Sequence, residues 1–356
     1  MDFTFTEEQI ALRDAVSRFL MTEAAPEKLR DIWATEAGRS PELRALVAEQ
    51  GLAALSIPER DGGMGQGDVD WALMSQELGY YAAPDAFAED VYVAAGLLAA
   101  LPPEAPARRR WLPRIADGSA CVAIGHPVNP AVGDAAGADL LLLPNATAQG
   151  TEVHALAPAE VTATPCPSID GSRRLARLAW TPTPATCIAD ARSGQALWDA
   201  ALDRGAVAVA GQLIGLAQRM LDLAVDYAAQ RKQFGKPIGS FQAVKHHLAD
   251  VVTKIEFAKP VLYRAAWSLE RGDAQRALRA SHAKLAGGDA AWTAARKAIQ
   301  VHGAMGYTWE VDLQMFMKRA WVLDAAWGDR ALHKARLAEQ LLADGAPLAP
   351  AQTFGS

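Results

Sequence analysis

Long helical patterns in the C-terminal half constrain the fold of this chain most strongly. From about Gly194 onward, apolar residues recur at the spacing of one helix face. Four such stretches follow one another: Leu197–Ala229, Phe241–Arg271, Ala274–His302 and Asp312–Ala343. Four long amphipathic helices suit a bundle, so we predict a four-helix bundle over residues 194–356.

Gly211 and Gly215 lie four residues apart inside the first of these helices. A glycine inside a helix costs about 1 kcal/mol relative to alanine. We therefore expect a neighbouring helix to approach this one closely at the two positions.

The first part of the chain also reads as helical. Thr6 and Gln9 have the spacing of a capping box, and Ser40-Pro41 fits an N-cap followed by a proline at the first helical position. A further helix is predicted over Val69–Leu78, opened by Asp68 and ended by Gly79. These signals predict an N-terminal helical domain over residues 1–115.

The middle of the chain, residues 116–193, has a different texture. Proline, glycine and threonine are dense there, and no long helical pattern fits. Short β-compatible runs occur at Ala120–Ile124, Asp139–Leu143, Glu152–Leu156 and Leu178–Trp180. The predicted fold is thus mostly α with a small antiparallel β domain between two helical regions.

Composition excludes several classes of function. The 356-residue chain exceeds the usual size of one hydrophobic core, so more than one subdomain is expected. Its net charge is −6 and it has no Lys/Arg run interleaved with aromatics, so no nucleic-acid partner is expected. No stretch approaches the ~20 consecutive apolar residues of a membrane span, so no membrane-spanning segment is expected. The first residues lack the features of a signal peptide, which favours a cytoplasmic location. The three cysteines lack metal-ligand spacing, and no metal is predicted.

Two short segments carry the chemistry-bearing residues. The first runs from Arg231 to Gln242 and contains Arg-x-x-Phe-Gly; the second is Gln300-Val301-His302-Gly303-Ala304-Met305-Gly306-Tyr307. An arginine pairs with phosphate oxygens in bidentate fashion, and glycine lets backbone come close to a ligand. Singly, each residue has a simpler reading: Arg231 in a surface salt bridge, Phe234 in the core, Gln242 near a helix cap.

Together with an N-terminal match, these segments resemble the acyl-CoA dehydrogenase family. The N-terminal match comprises Leu46–Glu59, Gly62-Gly63-Met64-Gly65 and Gln76-Glu77-Leu78-Gly79, so the resemblance covers nearly the whole chain. It implies FAD as cofactor and an acyl-CoA thioester as substrate. A carboxylate of the enzyme takes the α-proton while the β-hydrogen leaves as hydride to the flavin.

The resemblance also implies which residues contact FAD. They lie at the pyrophosphate and adenosine end, and the family supplies them across a dimer interface to a flavin whose ring sits in the neighbouring subunit. The residues so implied are Arg231, Phe234, Gln242, Gln300, Val301, His302, Gly303 and Ala304.

The family's catalytic carboxylate is missing from both of its usual positions. One position aligns with Trp327, and the other falls at about Gly205. No catalytic residue is therefore predicted. Asp203, Asp329 and Glu310 stay open as displaced bases.

The middle region departs from the family as well. It is short, and Ile124-Gly125-His126-Pro127 stands where the family places a loop over the flavin ring. His126 could move a proton, but a solvent-facing loop histidine is the favoured interpretation. These departures resemble the subunit of heteromeric acyl-CoA dehydrogenases that lacks the catalytic glutamate.

The resulting hypothesis is α,β-dehydrogenation of an acyl-CoA, with a bulky or steroid-like acyl group suggested by the heteromeric relatives, together with a homologous partner that supplies the base. An electron-transfer flavoprotein is the expected electron acceptor. Two alternatives stay open: a self-sufficient homotetrameric dehydrogenase with a displaced base, and a non-catalytic assembly or acyl-CoA-binding protein.

Overall fold

The computed structural model describes residues 3–84, 86–343 and 345–346. Its α-helices are α1 Glu7–Glu23, α2 Pro26–Ala34, α3 Pro41–Glu49, α4 Asp68–Tyr80, α5 Ala95–Ala99, α6 Pro106–Ala116, α7 Ala191–Gln230, α8 Gln242–Glu270, α9 Arg276–His302, α10 Leu313–Ala325 and α11 Arg330–Leu341. Its strands are β1 Val122–Ile124, β2 Val132–Gly133, β3 Leu140–Thr147, β4 Gly150–Leu156, β5 Thr162–Cys166, β6 Leu175–Ala179, β7 Cys187–Ala189, β8 Lys232–Gln233 and β9 Lys236–Pro237. This order of elements confirms the predicted fold class, helical at both ends with a small β region between.

The chain divides into two compact units. The first comprises Met1–Leu20, Ala72–Ala82 and Ala206–Ser356, and the second comprises Met21–Trp71 and Ala83–Gly205. The first unit thus holds the helical bundle with most of α4, and the second holds the strands β1 to β7. The predicted division into 1–115, 116–193 and 194–356 follows the order of elements along the chain and stays a prediction.

Local signals in the N-terminal region are confirmed. The Thr6 N–H donates to Gln9 Oε1 at 3.1 Å, and the Gln9 N–H donates to Thr6 Oγ1 at 3.2 Å, which is a reciprocal capping box. Ser40 caps α3 by accepting the Leu43 N–H at 3.1 Å.

Close contact between α4 and α7 in the first unit explains the glycines inside α7. A Cβ on Gly215 would lie 1.9 Å from the Gln76 carbonyl oxygen, and one on Gly211 would lie 2.6 Å from Ser75 Cβ. The predicted close approach of a neighbouring helix is confirmed. No larger residue fits at Gly215 unless the two backbones move apart.

The predicted boundaries of α4 are wrong in two details. Gly79 lies inside the helix and does not end it. A Cβ at Gly79 would lie 2.0 Å from the Gln212 carbonyl oxygen, so close packing against α7 selects the glycine. Asp68 is the first helical residue and not the N-cap. Its carboxylate accepts the Tyr92 hydroxyl at 2.6 Å.

The predicted helix Asp312–Ala343 is two helices. α10 ends at Ala325 and α11 begins at Arg330. Between them Trp327 and Gly328 have φ values of +55° and +90°, which an α-helix cannot accommodate. The apolar spacing continues across this turn, so periodicity alone could not reveal it.

The β region of the second unit contains two small sheets, with strand orders β1-β3-β4-β7 and β2-β6-β5. All pairs are antiparallel except β1 with β3, which pair in parallel from Val122 opposite Leu140 to Ile124 opposite Leu142. The prediction of a purely antiparallel domain is therefore wrong. The connection over 125–139 is long enough for the crossover that a parallel pair requires.

Helix α7 is long and apolar enough to pass a length-and-composition test for a membrane span, which the sequence prediction overlooked. Within the described residues it is the helix that does so, and 83% of its most apolar window is buried in the protein. That degree of burial is typical of a core helix.

Candidate cofactor-binding site

A tight hairpin presents Phe234 to solvent. Strand β8 pairs with β9 in register, Gln233 opposite Lys236, and the turn between them has positive φ at both Phe234 (+53°) and Gly235 (+78°). Such a turn fits the twist of a hairpin but strains a non-glycine residue. The Phe234 side chain is 89% exposed, so the simpler reading of a core residue is wrong.

Arg231 stands at the base of this hairpin. Its N–H donates to the Tyr227 carbonyl at 2.8 Å, and its carbonyl accepts the Ile238 N–H at 2.8 Å, so its backbone is fixed on both sides. The guanidinium is exposed and makes no hydrogen bond or ion pair within the described part of the chain. Among the described residues, the simpler interpretation of Arg231 as a member of a surface salt bridge is therefore wrong.

Helices α8 and α9 bring the two glutamines to one end of their pair. Gln242 is the first residue of α8, and Gln300 lies in the last turn of α9. Lys297 of α9 contacts the beginning of α8, with Nζ 2.9 Å from His247 Nδ1 and 3.2 Å from an Asp250 carboxylate oxygen. Both glutamine side chains are exposed.

The second segment turns sharply after α9. Gly303 adopts φ +62° and ψ −136°, and a 3₁₀ turn over Gly303–Tyr307 follows. Val301 and His302 are buried, whereas Gly303 and Ala304 are exposed. Apart from its chain neighbours and the adjoining helix backbone, no described atom lies within 4 Å of the position that a Cβ on Gly303 would take, which leaves the backbone open to close approach.

Tyr227 joins the two segments, and sequence reasoning missed it. Its carbonyl holds the Arg231 N–H, while its ring stacks on His302 with the centroids 4.4 Å apart and the planes at 22°. His302 Nδ1–H donates to the Ala298 carbonyl at 2.8 Å, and burial lowers the pKa of this histidine. The available signal was its position one helical turn before Arg231.

These residues fit the pyrophosphate end of FAD. Arg231, Gln242 and Gln300 offer exposed donors that no described residue of this chain uses, and Gly303 offers an open backbone. Phosphate oxygens are the acceptors that an exposed guanidinium and amide groups bind well. Direct contact between these residues and FAD stays a prediction.

Neither of the two residues at the positions implied for the catalytic base, Trp327 and Gly205, can remove a proton. The Trp327 side chain is 1% exposed, and an indole ring has a donor but no basic nitrogen. Gly205 lies inside α7 and has no side chain.

The three displaced carboxylates differ in environment. Asp329 is exposed and caps α11, accepting the Leu332 N–H at 2.8 Å. Glu310 is exposed. Asp203 is 2% exposed on α7, so of the three it alone is shielded from water.

Buried polar groups hold the turn that carries Trp327. The Lys284 ammonium donates to the carbonyls of Asp324 at 2.7 Å and Gly328 at 3.1 Å, and burial lowers its pKa to about 8. His333 Nε2–H donates to the Trp327 carbonyl at 2.9 Å, and its Nδ1 lies 3.1 Å from the Ser281 hydroxyl. This anchoring keeps the Trp327 backbone in its strained conformation.

His333 predicts a loss of stability in acid. Burial first, then the charge of Lys284, lowers its pKa from 6.5 to about 4. Between these two pH values the unfolded chain therefore binds the proton more readily than the folded chain. The stabilisation of the fold by neutral His333 is complete above pH 6.5 and disappears as pH falls to about 4. It amounts to about 3 kcal/mol. Thermal unfolding measured from pH 7 to 4 should show a shallower acid decline for His333→Gln than for the wild type.

The exposed His246 provides the matched control, and His246→Gln should retain the wild-type decline. Equal slopes for all three proteins would contradict the assignment of the acid sensitivity to His333.

The prediction that His126 faces solvent is wrong. It is 6% exposed, its Nδ1 accepts the Val128 N–H at 3.2 Å, and its Nε2–H donates to the Trp198 carbonyl at 3.0 Å. These partners select the neutral ring. The loop after β1 turns inward onto the first part of α7, which belongs to the same unit and carries Trp198.

The architecture consists of a helical part, a small β part, and a bundle of long helices with exposed hydrogen-bond donors at one end. Residues 6–119 match the family described as acyl-CoA dehydrogenase, N-terminal domain, and residues 192–342 match acyl-CoA dehydrogenase, C-terminal domain. Acyl-CoA dehydrogenase IpdE2 of Mycobacterium tuberculosis is 35% identical over 88% of this chain and 91% of its own.

Two solved structures share the fold. The ChsE4-ChsE5 complex of Mycobacterium tuberculosis superposes with a TM-score of 0.86 at 24% identity, covering 96% of this chain and 99% of that one. The Tcur3481-Tcur3483 steroid ACAD superposes with a TM-score of 0.85 at 23% identity, covering 96% and 99%. The chain belongs to the acyl-CoA dehydrogenase family. It is thus a flavin-dependent oxidoreductase with FAD as its cofactor, as predicted.

Proposed function

We propose that this chain is the subunit of a heteromeric acyl-CoA dehydrogenase that contacts FAD while a homologous partner supplies the catalytic base. The observation that carries the proposal is Trp327, buried and backbone-anchored at the position aligned with the family's glutamate. A buried indole there leaves no room for a carboxylate and cannot accept a proton.

In the proposed reaction, a carboxylate of the partner removes the α-proton of the acyl-CoA thioester. FAD, when bound, accepts the β-hydrogen as hydride. This chain would position the cofactor: the Arg231 guanidinium would pair with the pyrophosphate, and Gln242 and Gln300 would donate hydrogen bonds beside it. The backbone at Gly303 would approach the same end, since among the described residues no side chain or backbone beyond its chain neighbours covers it.

The substrate class and partner rest on similarity. The ChsE4-ChsE5 structure is a complex of two different chains, and the Tcur3481-Tcur3483 protein is a steroid-acting dehydrogenase. Both favour a homologous second subunit and a bulky, steroid-like acyl group here. An electron-transfer flavoprotein as electron acceptor and a cytoplasmic location complete the proposal.

Flavin absorbance tests the subunit assignment. We expect the chain purified alone to lack the visible flavin band and to leave acyl-CoA unoxidised. Co-expressed with a homologous subunit from the same genome that carries the glutamate, it should form a yellow complex that turns over. The partner purified alone provides the control. It should bind less FAD than the complex, because it lacks the cofactor contacts that Arg231 and its neighbouring residues of this chain would supply. A yellow homo-oligomer of this chain that oxidises acyl-CoA unaided would refute the assignment.

A self-sufficient homotetrameric enzyme is the second candidate, and the burial of Asp203 is the observation that favours it. Removal of a general base costs about 10²–10⁴-fold in rate. If Asp203→Asn lost turnover to that extent while Asp329→Asn did not, this chain would carry its own base. Under our proposal the complex retains its kcat in a folded Asp203→Asn variant. The third candidate, a non-catalytic assembly protein, leaves the unused donors of Arg231, Gln242 and Gln300 without a purpose.

A further inference from the structure

Three metal-binding side chains converge in the β region, far along the sequence from the cofactor segments. Glu152 and His154 lie two residues apart on β4, so their side chains point to the same face of the sheet. Cys187 on β7 is the cross-strand neighbour of His154. The carboxylate, imidazole and thiol ligand atoms of these residues all lie within 4.8 Å of one another.

The histidine is oriented as a metal ligand is. Its Nδ1 lies 2.9 Å from the Thr186 hydroxyl, and its Nε2 points toward Glu152 Oε2 at 3.1 Å. A metal-bound histidine usually has its second ring nitrogen held by such a hydrogen bond, which fixes the ring orientation. The Trp180 ring packs against this imidazole at 5.0 Å between centroids and restricts it further.

The carboxylate is held as well. Asn145 on β3 is directly opposite Glu152, and its Nδ2 donates to Glu152 Oε2 at 2.6 Å. This hydrogen bond is made from outside the cluster and leaves the second carboxylate oxygen for a ligand. The fixed groups on β4 and the thiol on β7 thus face a common point.

Burial gives the cluster both shelter and access. His154 is buried, whereas Glu152 and Cys187 are half-buried. A thiolate, an imidazole and a carboxylate are the ligands from which proteins build zinc sites, and three protein ligands leave a fourth position for water.

We propose that Glu152, His154 and Cys187 bind one divalent transition-metal ion of the zinc class. The Cys187 thiol releases its proton to solvent when the metal–sulfur bond forms, and His154 binds as the neutral imidazole through Nε2. The ion links β4 to β7, and because β7 leads directly into α7, it fixes the start of that helix. These three residues belong to the second compact unit, whereas the cofactor segments belong to the first. The test of the metal site therefore does not depend on the proposed function.

Cobalt is the spectroscopic probe for the site. Untagged full-length protein, stripped with a chelator, is titrated with Co²⁺. We expect one ion per chain, a thiolate-to-cobalt charge-transfer band in the near ultraviolet, and visible bands of tetrahedral intensity. Zn²⁺ should displace the cobalt and abolish both. Cys187→Ser should lose the charge-transfer band, and His154→Gln should weaken binding at least tenfold. Cys166→Ser, which alters another half-buried thiol, should behave as the wild type.

A second measurement uses the unaltered protein and so does not depend on the folding of variants. Alkylation of the three thiols is followed by mass spectrometry with and without Zn²⁺. We expect Zn²⁺ to slow modification of Cys187 alone, with Cys121 and Cys166 unaffected. Absence of a charge-transfer band together with equal alkylation of Cys187 in both conditions would overturn the proposal. A band that persists in Cys187→Ser would overturn it too.

Discussion

Arg231→Ala is expected to strip most of the flavin from the active complex. The exposed guanidinium has no partner among the described residues of its own chain, so the change removes a ligand contact and no internal one. A charge-assisted hydrogen bond contributes about 1.5–3 kcal/mol. FAD should therefore bind about 10–100-fold more weakly. The measurement is flavin retained after dialysis, followed by titration of FAD into the apo complex.

Arg109→Ala is the matched control, since Arg109 is likewise exposed but lies on α6, outside the cofactor segments. It should leave flavin binding unchanged. Added FAD at high concentration should restore the turnover of Arg231→Ala, because the residue holds the cofactor and takes no part in bond breaking. A variant that retains wild-type affinity for FAD would remove Arg231 from the site.

Gly215→Ala is expected to be the most damaging single change to the fold. The new methyl group would lie 1.9 Å from the Gln76 carbonyl oxygen and 2.7 Å from the Tyr80 backbone nitrogen, so α4 and α7 must separate. Overpacking of this kind costs about 3 kcal/mol, more than the helix propensity gained from alanine. The melting temperature should fall by about 4 °C, measured by differential scanning calorimetry.

Gly137→Ala provides the comparison, because no atom lies within 4 Å of a Cβ at Gly137 and its φ is not positive. Its melting temperature should stay close to that of the wild type. If Gly215→Ala melted no lower than Gly137→Ala, the tight packing of α4 on α7 would be wrong.

The sequence revealed those parts of the fold that local chemistry determines. The capping residues Thr6, Gln9 and Ser40 act within one helical turn, so a short stretch of sequence is enough to identify them. The glycines of α7 were informative for a related reason: a helix tolerates them only where something compensates, and close packing is the usual compensation.

Features that depend on distant residues escaped prediction. The parallel pairing of β1 with β3 depends on the course of the 125–139 connection. The helix break at Trp327 depends on two side chains. Lys284 of α9 donates to the Gly328 carbonyl, and His333 of α11 donates to the Trp327 carbonyl. The same limit applied to the candidate sites, since Tyr227 joins two segments through a ring contact and Cys187 meets His154 only after strand pairing.

The exposed aromatic side chains near the cofactor segments have a consequence for the cell that makes this protein. Phe234, Tyr307 and Trp309 are 89%, 80% and 70% exposed in the single chain. Apolar surface of this kind on an orphan subunit attracts chaperones and proteases until a partner covers it. Under the proposed heteromeric assembly, we therefore expect the abundance of this chain to follow the dosage of the second subunit, with surplus copies degraded and not stored.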